Sequence, residues 1–199
     1  MPERIISVAG QPGSGKTTLV NYLEREHGFA PIRPSRIIRN WAEGKGIVLG
    51  ADRQLWANAR REIGAERGQD WLTQAIANTS AERVALDGLR TLGDYKELTY
   101  TAKTGLARVA FVGLFCPVEI RFKNTMAGEE FDKDKPPTLE EFRAQELPEY
   151  YSDEEYGVAT QTVLDLTPPE LRFEYDTASI DEVQSLVVAQ LGIRGFLES

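Results

Sequence analysis

Residues 10–17 read Gly-Gln-Pro-Gly-Ser-Gly-Lys-Thr, which satisfies the spacing G-x-x-x-x-G-K-[ST] at every position. In a chain of 199 residues this pattern arises by chance on the order of 1% of the time at average residue usage. Its flanks agree with it. Arg4–Ala9 is a short, β-branched apolar run that stops at Gly10 and reads as a buried strand. From Lys16 to His27, Leu19, Val20 and Leu23 recur at helical spacing, and Gly28 supplies a stop. Strand, glycine-rich loop and helix in that order form an anion cradle. The glycines let the backbone wrap tightly, so successive N–H groups point inward at phosphate oxygens. The helix N-terminus adds partial positive charge at the same place. Lys16 adds a full charge for the β- and γ-phosphates, and the Thr17 hydroxyl is a ligand for Mg²⁺. Gly10, Gly13, Ser14, Gly15, Lys16, Thr17 and Thr18 are therefore the expected ATP-binding residues.

The rest of the chain alternates strand and helix. A short strand is expected near 29–32, then a helix capped by Ser35 and carrying Ile37, Ile38 and Trp41. Two further helical stretches run over about 50–63 and 70–79. Arg83–Asp87 is an apolar strand ended by Gly88, with a helix over 92–102 behind it. Ala107–Phe115 is another strand, Pro117 opens a helix, and Thr138-Leu139-Glu140-Glu141 reads as a capping box. A last strand lies near 171–175 and a final amphipathic helix over 179–191. This alternation predicts an α/β fold with three α/β/α layers and a five-stranded, mostly parallel sheet. One domain is expected, with a core of 1–30, 81–121 and 156–199, a helical insertion over 31–80 and a second excursion over 122–155. Asp87 ends its strand where a Walker-B-type carboxylate would hold Mg²⁺ directly or through water, although Asp-Gly is also a common turn pair.

Composition narrows the partners. With 31 acidic against 23 basic residues the net charge is −8, which disfavours sequence-independent binding to nucleic acid or anionic membrane. It leaves room for a local basic pocket. No apolar run approaches a membrane span, and the start MPERIISVAG lacks the features of a signal peptide. The single cysteine, Cys116, excludes a disulfide framework, so a reducing cytoplasm is the expected location. Cys116 and the three tryptophans (Trp41, Trp56 and Trp71) are expected in the core, although one tryptophan lining an acceptor-base pocket stays open. His27 reads as a helix-end residue and Asp153–Glu155 as a solvated face. For Tyr150, Tyr151 and Tyr156 a lid role and an interface role both stay open.

The segment Leu86-Asp87-Gly88-Leu89-Arg90-Thr91-Leu92 is similar to the adenylate-kinase stretch L-D-G-F-P-R-T, without its proline. With the phosphate loop ahead of it, the chain resembles the nucleoside-monophosphate kinases. It also resembles small kinases related to adenylate and dephospho-CoA kinases, among them phage-type deoxynucleoside-monophosphate kinases. The resemblance implies that Arg90 holds the acceptor phosphate, with Arg39 as its second arginine and Arg36 as a neighbour able to serve instead. It makes 31–80 the acceptor-binding insertion and 122–155 a lid hinged over 127–137. In Pro117-Val118-Glu119-Ile120-Arg121 it implies that Arg121 contacts the transferring phosphates. The family repeats a basic residue one turn later, where this chain has Thr125, with Lys123 nearby. Arg143 either supplies that charge or is a surface residue paired with Glu140 or Glu146.

The implied activity is Mg²⁺-dependent phosphoryl transfer from ATP to a nucleoside monophosphate or similar acceptor, with Lys16, Asp87, Arg90 and Arg121 as catalytic groups. Positioning and neutralising charge would suffice, because the acceptor phosphate is already ionised. Two rivals stand beside it. A dephospho-CoA-like kinase would phosphorylate a sugar hydroxyl and need Asp87 or a nearby acid as base. A nucleotide-binding regulator would have no small acceptor. A monomer and a homodimer are both compatible with the sequence.

Overall fold

The computed structural model describes residues 1–50, 53–127, 138–175 and 179–197. Its sheet is built from β1 (Arg4–Gly10), β2 (Ala30–Ile32), β3 (Arg83–Asp87), β4 (Arg108–Phe115) and β5 (Arg172–Glu174). The strands lie in the order β2-β3-β1-β4-β5, and every pair is parallel. The interior strands are apolar along nearly their whole length because helices cover both faces. The chain leaves β1 for one side of the sheet and then crosses back to the other. The loop after β1 thus sits at the switch point, at the carboxyl edge where open α/β sheets hold ligands.

Side chains of β1 alternate between the two faces, as the two-residue pleat requires. Ile6 and Val8 join α1 (Lys16–His27) and α9 (Ile180–Ile193) through Leu19, Val20, Leu23, Val183 and Val187. Ile5 and Ala9 face the opposite layer. That layer holds α2 (Pro34–Gly44), α3 (Arg53–Arg67), α4 (Trp71–Ala77), α5 (Leu92–Lys103) and α8 (Thr160–Asp165), which contribute Ile38, Trp41, Ile63, Trp71, Leu98 and Val163. Between β4 and α8 lie α6 (Val118–Ala127) and α7 (Leu139–Glu146), followed by a 3₁₀ turn at Leu147–Glu149.

Local chemistry explains most boundaries. Thr138 caps α7 by accepting from the Glu141 amide at 3.2 Å, and Ser179 caps α9 with a reciprocal box to Glu182. Ser35 is not the cap of α2. Arg33 occupies that position with extended backbone, and Pro34, whose fixed φ suits a first turn, begins the helix. The six-residue α8 was not foreseen, being too short to show a helical period. The expected hinge over 127–137 falls, from 128 on, outside the described residues. Among the described residues, no helix is long and apolar enough to cross a membrane.

Candidate active site

The loop between β1 and α1 bends through two left-handed glycines, Gly13 at φ 75° and Gly15 at φ 79°. A Cβ on Gly13 would stand 2.3 Å from the Arg121 carbonyl oxygen, and one on Gly15 would stand 2.6 Å from Ile180 Cδ1. At Gly13 backbone blocks a side chain outright, and at both positions the positive φ favours glycine. Four consecutive loop carbonyls each accept a hydrogen bond from a side chain. Lys16 Nζ donates to Gln11 O at 2.8 Å, and Arg121 Nη1 donates to Pro12 O at 3.2 Å. Asn124 Nδ2 donates to Gly13 O at 3.0 Å, and the Tyr175 hydroxyl donates to Ser14 O at 2.7 Å. Holding the carbonyls in this way fixes the loop from outside. The first-turn amides of α1 have no intrahelical acceptor and stay available to an anion. Ser14 Oγ is buried without a partner, an orphaned hydroxyl inside the cradle. Glycine curvature, free amides and an unused hydroxyl fit a bound triphosphate.

The loop after β3 hangs on β1. The Gly88 and Leu89 amides donate to Val8 O at 3.0 and 3.2 Å. Gly88 takes φ 97°, and a Cβ there would lie 3.8 Å from Arg90 Nε and 3.9 Å from Lys16 Cε. Lys16 and Arg90 therefore flank one backbone point. Burial and the positive charge of Arg90 pull the Lys16 ammonium down to about 7, against the opposing pull of Asp87 and Glu149. Asp87, nearly buried, sits 3.8 Å from Arg33 Nε. Thr17 is exposed at the start of α1. Mg²⁺ keeps much of its water and takes few protein oxygens, so a hydroxyl and a carboxylate on this edge suit it.

Two carboxylates of one short stretch meet two of the sequence-predicted arginines. Arg90 Nη1 lies 3.4 Å from Glu149 Oε2. Arg121 is 2% exposed and paired with Glu146, and it also donates through Nε to Cys116 O at 2.9 Å. Arg121 thus touches the phosphate loop through the Pro12 carbonyl. Arg36 and Arg39 are exposed on α2 and make no ion pair among the described residues, and Arg39 Cζ lies 5.6 Å from the Trp56 ring centre. No contact joins Arg39 to Arg90 among the described residues. Arg143 pairs with Glu119 rather than with Glu140 or Glu146, because α7 packs beside α6 and Glu146 is taken by Arg121.

Some residues behave differently from their sequence reading. Cys116 is half-buried at the end of β4 rather than in the core, with its thiol hydrogen-bonded to Tyr175 and pushed up by burial. Trp41 and Trp71 are core residues, and Trp56 packs against them. Glu154 and Glu155 are exposed and pair with Arg61 and Lys96. Arg33, Asn124, Glu146, Glu149 and Tyr175 were missed. Only Arg33 left a signal, since it precedes Arg36 and Arg39 at helical spacing of three.

The profile of the AAA_18 family, described as an AAA domain, matches residues 6–174, which includes the phosphate loop, β2 to β5 and all of β1 but its first two residues. The chain belongs to this family of P-loop kinases. Solved structures agree on the fold. A gluconokinase from Sinorhizobium meliloti 1021 superimposes with a TM-score of 0.52 at 16% identity, over 96% of this chain and 93% of that one. TT1252 from Thermus thermophilus gives 0.56 at 17%, covering 100% of both chains. A Chloroflexus aurantiacus protein provisionally classed as a kinase gives 0.59 at 14%, again over 100% of both. A comparison of the sequence with curated proteins finds no match. In this chain the phosphate loop, Asp87 and Arg90 all end or follow strands at the carboxyl edge of the sheet.

Proposed function

We propose that this P-loop kinase transfers the γ-phosphoryl group of ATP to a nucleoside monophosphate or a closely similar phosphorylated acceptor. The observation that carries the reading is the apposition of Arg90 and Lys16 across Gly88. The two basic side chains approach one backbone point closely enough for Arg90 to disfavour the Lys16 charge, and two anionic groups meeting there would relieve that repulsion. Lys16 and the loop amides would hold the donor, with Mg²⁺ at Thr17 and Asp87. Arg90 would hold the acceptor phosphate once Glu149 yields it. Arg36 and Arg39 stand on the acceptor side with no carboxylate partner among the described residues. The helices of 31–80 would form the acceptor site, and 122–155 the lid that excludes water from the donor. Arg121 would act at one remove by fixing the loop.

A hydroxyl acceptor is the second reading, and one observation favours it. Asp87 and Glu149 both lie close enough to Lys16 to raise its proton affinity, so a carboxylate base is available. ADP release from Mg-ATP, measured against ribo- and deoxyribonucleoside monophosphates and dephospho-CoA, separates the readings. Stimulation by a monophosphate is the expected result. Stimulation by dephospho-CoA alone supports the second reading. With neither, nucleotide-dependent binding to a macromolecule becomes the reading to pursue.

A further inference from the structure

Arg33 follows β2, and Asp87 is the last residue of β3. Ile32 pairs with Leu86 in the parallel register, and Arg33 keeps extended backbone, so one further step brings Arg33 opposite Asp87. Their side chains meet, with Nε 3.8 Å from Asp87 Oδ2. The far end of the guanidinium is anchored on α1. Nη2 donates to Asn21 Oδ1 at 2.6 Å and lies 3.7 Å from Glu24 Oε2. Asn21 and Glu24 come four and seven residues after Thr17, on the helix face that Thr17 begins. Arg33 therefore spans the gap between α1 and the end of β3, the two elements that carry the oxygens proposed for Mg²⁺.

Burial gives this contact its weight. The Asp87 side chain is 9% exposed and that of Arg33 26%. A carboxylate so sheltered needs a counter-charge, and Arg33 is its one ion-pair partner among the described residues. Lys16 is a second cation within electrostatic reach. Two cations thus face one carboxylate. A bare divalent ion gains little there, because the negative charge it would answer is already answered. A triphosphate reverses the balance, since it brings its own oxygens to the metal and gives Lys16 another anion to pair with.

We infer that Arg33 is a positioning residue for the donor metal. It holds the Asp87 carboxylate in the free protein and cancels its charge, so that a divalent cation is retained at Asp87 only together with the triphosphate. The inference rests on the kinase reading for the presence of a metal at Asp87. The role given to Arg33 stands on the contacts of Arg33 itself.

Mn²⁺ alone is the probe, because it takes the same oxygen ligands as Mg²⁺ and its EPR signal counts the free ion. Without nucleotide, the wild type is expected to bind it weakly. Arg33→Gln should bind it about tenfold more tightly or better, and Arg33→Lys should stay within about threefold of the wild type. Arg33→Gln combined with Asp87→Asn should lose the gain. A merely structural role for Arg33 predicts the opposite sign, since a damaged site loses metal. Asn21 and Glu24 are exposed, so removing the guanidinium strands only Asp87. Arg33→Met, which keeps the apolar stem, stands in if glutamine unfolds the chain. No tightening in a variant without the charge, or tightening that survives Asp87→Asn, overturns the inference. The kinase reading fails separately, if Mn²⁺ tightens at Asp87 as expected while no monophosphate stimulates ADP release in the wild type.

Discussion

The Tyr175 hydroxyl donates to the Ser14 carbonyl at 2.7 Å, joining the end of β5 to the phosphate loop across 161 positions of sequence. Both groups are buried, so the bond is sheltered from water and defines where the loop stands relative to the sheet. Tyr175→Phe keeps the ring and removes the donor. One net hydrogen bond is worth about 1 kcal/mol, and the orphaned carbonyl adds to the loss. Mg-ATP affinity measured by calorimetry is expected to fall about five- to tenfold while kcat at saturation stays within about twofold. Unchanged affinity would show that the loop keeps its shape without this tie.

Lys16 sets the response to pH. In the free protein it titrates at about 7, against an ordinary 10.5, because burial and Arg90 disfavour its charge. Under the proposed function a bound phosphate would restore the charge, so donor binding would take up a proton above that pH. Affinity for the triphosphate is expected to fall by up to about tenfold per pH unit between pH 7.5 and 9. Calorimetry in buffers of different ionisation enthalpy reads the proton directly. The stability of the free protein runs the other way. The unfolded lysine binds more protons than the folded one, so the cost of this group is full below pH 7 and fades toward 10.5. Lys16→Met should therefore raise the melting temperature more at pH 6 than at pH 10, and it should abolish phosphoryl transfer.

Glu149 holds Arg90 at 3.4 Å from a mostly buried position, so under the proposed function the acceptor phosphate would compete with a carboxylate of the protein itself. Glu149→Gln keeps the shape and removes the charge. The KM of the acceptor is expected to drop about three- to tenfold, in line with about 1 kcal/mol for a partly exposed pair. Steady-state kinetics at saturating Mg-ATP provide the check. A rise in KM, or a collapse of kcat with KM unchanged, would instead make Glu149 a catalytic group.

Asp94 is 1% exposed, pairs with Arg60 and accepts from the Thr91 hydroxyl at 2.6 Å. Burial raises the Asp94 carboxyl, and Arg60 opposes that shift. Asp94→Ala strands the guanidinium beside Trp71. A cost of about 3–5 kcal/mol is expected, because a buried charge has lost its partner. Denaturant titration measures it, and replacing Arg60 with Leu in the same chain should recover part of the loss.

The fold was legible because its signals are local. Apolar runs ending at glycine marked β1 and β3, and Thr138 and Ser179 announced their helices. The phosphate loop was legible for the same reason, as its chemistry is written in eight consecutive residues. What the sequence hid is what the fold brings together. Tyr175 reads as the end of a strand, and Asn124 as a helix-surface polar residue. Glu146 and Glu149 are two acids in a run of charged residues, and nothing local sends them to Arg121 and Arg90. Arg121 shows the same limit from the other side. Its place on α6 was readable, but its burial against the Pro12 carbonyl depends on a partner 109 positions away.

The two faces of the sheet rest on separate sets of apolar residues. One set backs the loop through α1 and α9, and the other supports the helices between β2 and β3 together with α5 and α8. Under the proposed function, mutational drift in the second set would reshape what is accepted while the set backing the phosphate loop is inherited intact, so that relatives would diverge in substrate and still share one motor for delivering phosphate.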